Sequence, residues 1–172
     1  IYTHGEKEIM AEKERREKEK EEEQGKTTDV VLAAGSNASN RADSSAVIES
    51  VTTSSEGTAL GREAAAYGCQ FIGNPYVFGG TSLTNGTDCS GFTQGVYAHF
   101  GIRIPRDSTS QRFCGTGVDY SQAQPGDLIC YAGHVALYIG NGQIVHASSE
   151  RTGIKISPAT YRTILAVRRV VS

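Results

Sequence analysis

The chain is predicted to fold as an α+β domain, on three observations. Apolar residues at helical spacing run through residues 58–113. Strand-like alternation dominates from residue 127 to the end. A Gly140-Asn141-Gly142 turn joins two of those strands as a hairpin. Helices followed by a run of strands point to helices packed on a central antiparallel sheet. Residues 58–72 read as the first helix, with Leu60, Ala64, Tyr67, Gly68 and Phe71 along one side. Gly79-Gly80 lets the backbone turn tightly toward the next helix. That helix runs over residues 89–100, with Asp88 as N-cap and Gly101 as stop. Phe92, Val96 and Phe100 recur at i, i+4 and i+8 and anchor it in a core. A short helix over residues 108–113 follows the break at Pro105. Strands are expected at 127–131, 134–139, 143–147, 154–156 and 164–171.

Cys89 opens the second helix, facing unpaired backbone N–H groups and the positive end of the dipole. That setting lowers a thiol pKa and activates the sulfur. Helix position alone suits a small buried cysteine equally well. Two histidines flanking the hairpin, His134 and His146, change the balance. A two-residue loop at Asn141-Gly142 would pair Leu137 with His146 and put the histidines on opposite faces. A three-residue loop, with Gly142 left-handed as a bulge, pairs Tyr138 with Ile144, Leu137 with Val145, and Ala136 with His146. His134 and His146 then share a face as diagonal neighbours. Val145 joins Leu137 in the core in this register, so hydrophobicity favours it. Small Ala136 leaves room beside both imidazoles.

A Cys on a helix start followed by a His on a strand is the chain order of papain-like folds. Cys89 would attack a carbonyl carbon, and His134 would take the thiol proton and later protonate the leaving amine. His146 would hold the His134 ring in one orientation and tautomer. Zinc is a further use for Cys and His. Neither a C-x-x-C pair nor an H-E-x-x-H motif supports it, so no metal or cofactor is expected.

Five segments in order then resemble the NlpC family of bacterial cell-wall cysteine peptidases. They are Asn74-Pro75-Tyr76-Val77-Phe78-Gly79-Gly80, Asp88-Cys89-Ser90-Gly91-Phe92, Ile104-Pro105-Arg106-Asp107-Ser108, Gln124-Pro125-Gly126-Asp127-Leu128 and His134…His146. The resemblance covers residues 58–172. It implies a papain-like peptidase that hydrolyses peptidoglycan stem peptides between D-glutamate and the diamino acid. It implies Cys89 as nucleophile, His134 as base and His146 as orienting residue. Tyr76, Asp88, Ser90, Arg106, Asp107 and Ser108 would line the substrate. Tyr76 would sit beside the sulfur and help bind the oxyanion or substrate, and Asp107, with Ser90 and Ser108, would hold a free N-terminal amine. Asp107 is also well placed simply to cap the short helix that follows it. The turn Cys130-Tyr131-Ala132-Gly133 before His134 is shorter than in many relatives, which would open one rim of the groove. A catalytically silent wall-binding domain on the same fold, and an amidase or acyltransferase, are the alternative readings.

The net charge of −2 over 172 residues, with no basic patch, argues against nucleic acid as partner. No apolar run is long enough to span a membrane. Among four cysteines, Cys69 and Cys130 fall in apolar patterns and are expected in the core. A Cys69–Cys114 bridge has no sequence support. Residues 6–23 hold nine acidic and six basic side chains and read as a solvated helix. Residues 25–57 are rich in Ser, Thr, Asn, Ala and Gly and read as a flexible linker. Domain division at residue 57/58 follows, with the first part a plain spacer or a tether to an upstream wall-binding module. The chain starts at Ile1 without Met and reads as a fragment of a secreted, wall-associated protein whose signal lies outside it. A monomer is expected.

Overall fold

The computed structural model describes residues 37–54 and 56–171, with only the backbone described over residues 37–44. The charged segment of residues 6–23 lies outside the described residues. Among the described residues, four α-helices precede most of the sheet: α1 (Asn37–Thr53), α2 (Ala59–Cys69), α3 (Cys89–His99) and α4 (Ser108–Gln111). A two-stranded ribbon, β1 (Thr81–Ser82) and β2 (Gly86–Thr87), leads into α3. The remaining strands are β3 (Thr116–Val118), β4 (Leu128–Tyr131), β5 (His134–Gly140), β6 (Gln143–Ser149), β7 (Gly153–Pro158) and β8 (Ala166–Arg169). They form one antiparallel sheet in the order β3-β8-β4-β5-β6-β7.

Asp88 caps its helix as expected, whereas Thr58, read from sequence as the first residue of its helix, is the cap of that helix. Thr58 caps α2 by accepting from the Gly61 N–H at 3.0 Å, and Asp88 caps α3 by accepting from the Gly91 N–H at 2.7 Å. Phe92 and Val96 are fully buried. The main core lies between the helices and one sheet face, joining Ala64, Ala65 and Cys69 of α2 and Phe92, Val96 and Tyr97 of α3 to Val135, Leu137, Val145 and Ala147. A second, smaller core on the opposite face joins Ile129, Tyr131, Ala136, Tyr138, Ile144 and Val167. The strict alternation of these two sets along β4, β5 and β6 is why strands flanked on both faces are so fully buried. Cys69, Cys114 and Cys130 are free thiols, so no Cys69–Cys114 bridge forms.

One segment departs from the sequence reading. Residues expected to be a flexible linker include α1, whose Val51 is buried and whose Val47 and Ile48 pack on the main core. The Ser/Thr/Asn-rich composition hides three apolar residues at i, i+1 and i+4, enough for a narrow docking stripe. Helices and packing therefore begin before residue 58. The strand β3 and the β1–β2 ribbon were also not expected, being too short to show alternation.

Candidate active site

Register of the β5–β6 hairpin decides whether two histidines meet. Leu137 pairs with Val145 and Tyr138 with Ile144, the register expected from burial of Val145. It arises differently from the expected three-residue loop. Asn141 (φ 55°) and Gly142 (φ 72°) form a two-residue turn with both residues left-handed. The extra residue is absorbed by a bulge between Tyr138 and Gly140, where Gly140 has φ 92°. The net shift is the same, so His134 and His146 share a face.

Their rings meet closely. His134 Nε2 and His146 Nδ1 are 2.7 Å apart, and His146 Nε2 is 2.9 Å from Ser157 Oγ on β7. Both histidines are buried, flanked by Tyr131 (ring centroid 5.9 Å from His134) and Tyr161 (5.4 Å from His146). Burial pushes the His146 pKa down to about 3, with Lys155 and Arg162 adding to the effect. His146 is therefore neutral at physiological pH. His134 meets His146 through Nε2, and Nδ1 is its other ring nitrogen. Ser157 was missed in the sequence. Its signal is the alternation of Lys155 and Ser157, which the β6–β7 register (His146 with Lys155, Ile144 with Ser157) turns into contact.

Cys89 is buried at the first position of α3, and α3 packs on β5 and β6. Around it a polar clamp joins three segments. The Asp88 carboxylate accepts from Gly91 N and Gly79 N, from Ser90 Oγ, and from both terminal nitrogens of Arg106 at 3.0 Å. Arg106 also donates to Ser90 Oγ at 2.9 Å and to the Gly80 carbonyl. A side chain on Gly91 would collide with that same carbonyl, so the close approach of α3 to the Gly79-Gly80 turn demands glycine there. Behind it, buried Gln111 donates to the Ser90 and Pro105 carbonyls and accepts from Thr93 Oγ1 at 2.6 Å. Gln111 and Thr93 were not singled out in the sequence, where nothing marks a glutamine as buried.

Tyr76 is buried beside β2, held by backbone hydrogen bonds from Val77 N to Thr87 O and from Thr87 N to Pro75 O. That places it next to the residues leading into Cys89. Asp107 caps α4, accepting from Ser110 N at 2.7 Å and from Ser110 Oγ at 3.0 Å, and Ser108 beside it is buried. The structure thus brings together His134 with His146, and Asp88 with Ser90 and Arg106. The carboxylate of Asp88 and the guanidinium of Arg106 are turned toward each other, whereas Asp107 keeps lone pairs beyond those used in capping. Among the described residues, no group of three or more His, Cys, Asp or Glu is disposed to hold a metal ion. No helix among them is long and apolar enough to cross a membrane.

The model of the NlpC/P60 family matches residues 73–168. The chain is similar to a gamma-D-glutamyl-L-lysine dipeptidyl-peptidase of Bacillus cereus (strain ATCC 10987 / NRS 248), 43% identical over 99 residues, which are 53% of this chain and 29% of the relative. It is also similar to a protein of Haemophilus influenzae named as a probable endopeptidase NlpC homolog, 33% identical over 133 residues, 75% of this chain and 72% of that one. The solved structure of the peptidoglycan hydrolase RipB from Mycobacterium tuberculosis superposes with a TM-score of 0.57 at 28% identity, covering 83% of this chain and 90% of that one. The chain spans 29%, 16% and 40% of the length of the first three curated relatives it matches.

Proposed function

The chain belongs to the NlpC/P60 family, and on that premise we propose that it is a cysteine endopeptidase of peptidoglycan stem peptides, cutting between γ-linked D-glutamate and the diamino acid. The observation that carries this reading is the buried His134–His146 pair on strands packed against the helix that Cys89 opens. Cys89 is the nucleophile, His134 Nδ1 takes its proton, and the resulting imidazolium donates its Nε2–H to neutral His146. The thiolate attacks the γ-carbonyl, and the start of α3 favours negative charge there. His134 then protonates the leaving amine, and water hydrolyses the thioester. Asp88 and Arg106 act by holding the Gly79-Gly80 turn, Ser90 and the α3 start in place. Tyr76, Ser90, Asp107 and Ser108 bind the substrate, Asp107 taking the free amine of the stem through a charge-assisted hydrogen bond.

The relatives' names support the substrate class: one is a gamma-D-glutamyl-L-lysine dipeptidyl-peptidase and another a peptidoglycan hydrolase. Such a substrate fits an extracellular, wall-associated monomer. A silent wall-binding domain is disfavoured because all three reacting side chains are present. Digestion of defined muropeptides by the full chain, read by mass spectrometry, tests the proposal. We expect cleavage at the D-glutamyl–diamino acid bond and none by a folded Cys89→Ala variant. Release of whole stems from the glycan would instead identify an amidase.

A further inference from the structure

A neutral imidazole has one proton for two nitrogens, and His146 has a partner at each. His134 Nε2 faces its Nδ1 at 2.7 Å, and Ser157 Oγ faces its Nε2 at 2.9 Å. All three side chains are buried, His146 completely, so water is a poor substitute for any of them. The direction of this chain has chemical consequences. When His134 has taken the thiol proton onto Nδ1 it carries an N–H on each nitrogen, and its Nε2–H finds an acceptor in His146 Nδ1 only if His146 carries its own proton on Nε2. In the opposite tautomer two N–H groups would point at each other across 2.7 Å.

We propose that Ser157 is a positioning residue whose hydroxyl oxygen accepts the Nε2 proton of His146, fixing the tautomer that presents a bare Nδ1 to His134. The proposal rests on the peptidase reading for its catalytic consequence, but not for the tautomer itself. A serine suits the role better than a carboxylate. A carboxylate would draw a second proton onto His146 and move the positive charge one residue away from the thiolate. The serine hydroxyl is neutral, and Lys155 and Arg162 oppose a charge on His146. The other titratable groups around the ring are His134 on β5, Tyr131 on β4 and Tyr161, which do not supply a negative charge at neutral pH. The imidazolium therefore stays on His134.

The test reads the tautomer directly on the resting full chain. ¹⁵N chemical shifts of the two histidines at pH 7 should show His146 protonated at Nε2 and bare at Nδ1. Ser157→Ala should blur that preference and lower kcat roughly tenfold, in line with the loss of a group that orients a histidine. KM should be unchanged and the acid limb of the kcat profile should shift, while Ser157→Thr, which keeps the hydroxyl, should restore tautomer and rate. Ser157→Asp should carry a doubly protonated His146 and be slower than the parent. A parent His146 protonated at Nδ1 would overturn the proposal, as would a Ser157→Ala chain with unchanged tautomer and pH profile. Absence of peptidase activity in the parent would refute the peptidase reading, and the ¹⁵N shifts would still decide the role of Ser157.

Discussion

Asp107→Asn separates the two roles open to this carboxylate. Asparagine caps helices as well as aspartate does, so the hydrogen bond from Ser110 N survives and the fold should too. The negative charge is lost. Cleavage of stem peptides with a free N-terminal amine should fall about tenfold or more in kcat/KM, the scale of one charge-assisted hydrogen bond. N-acetylated peptides should be affected little, and equal loss on both would leave Asp107 as a cap alone. His146 makes a second, thermodynamic prediction at this scale. Its folded pKa of about 3 lies below the ordinary histidine value of 6.5, so the unfolded chain binds the extra proton first. Its contribution is fully present above pH 6.5 and is lost progressively as pH falls from there toward 3, by a few kcal/mol. Urea melts of the parent and of His146→Asn across that window should converge as pH falls, and parallel curves would contradict the assignment. The start of α3 at Cys89 and the meeting of His134 with His146 were legible in the sequence because a helix start and a hairpin are local patterns. The Asp88–Arg106 pair and Ser157 were not assigned their partners, because those contacts join segments far apart in the chain.

Among the elements, α1 is where composition misled. Val51 is buried against the main core although its neighbours are small and polar. Val51→Ala removes two buried methyl-sized groups, worth about 1.5 kcal/mol, and should lower Tm by roughly 5 °C in a domain of this size. Thermal melts of that variant check it; an unchanged Tm would show that α1 is an undocked linker. The hairpin teaches the opposite lesson. Burial of Val145 dictated the β5–β6 register from sequence alone, but not how the backbone would reach it. A three-residue loop and a two-residue loop with a bulge give the same pairing, and the sequence Gly140-Asn141-Gly142 is compatible with both. The α+β order was readable for α2, α3, α4 and the strands from β4 onward, because the long run of alternating periodicity begins only after α4. The ion pair between Arg169 on β8 and buried Asp127, 2.8 Å, was not readable, since it ties the start of β4 to the end of the chain.

At the scale of the molecule, helices and sheet do separate work. The helical layer and the loops tied to Asp88 fix the start of α3, and the sheet brings the two histidines and Ser157 into one buried row. The segment matched by the NlpC/P60 family, residues 73–168, holds both the α3 start and this row of side chains. The proposed peptidase reaction requires Cys89 to form a thioester with the γ-glutamyl group. Rapid acid quench during turnover of an L-alanyl-γ-D-glutamyl-diamino acid peptide, followed by peptide mass mapping, measures this directly. An L-alanyl-γ-D-glutamyl mass is expected on the peptide containing Cys89, absent from Cys89→Ala, which should also be inactive. Turnover without that adduct, undiminished in a folded Cys89→Ala variant, would contradict that reaction.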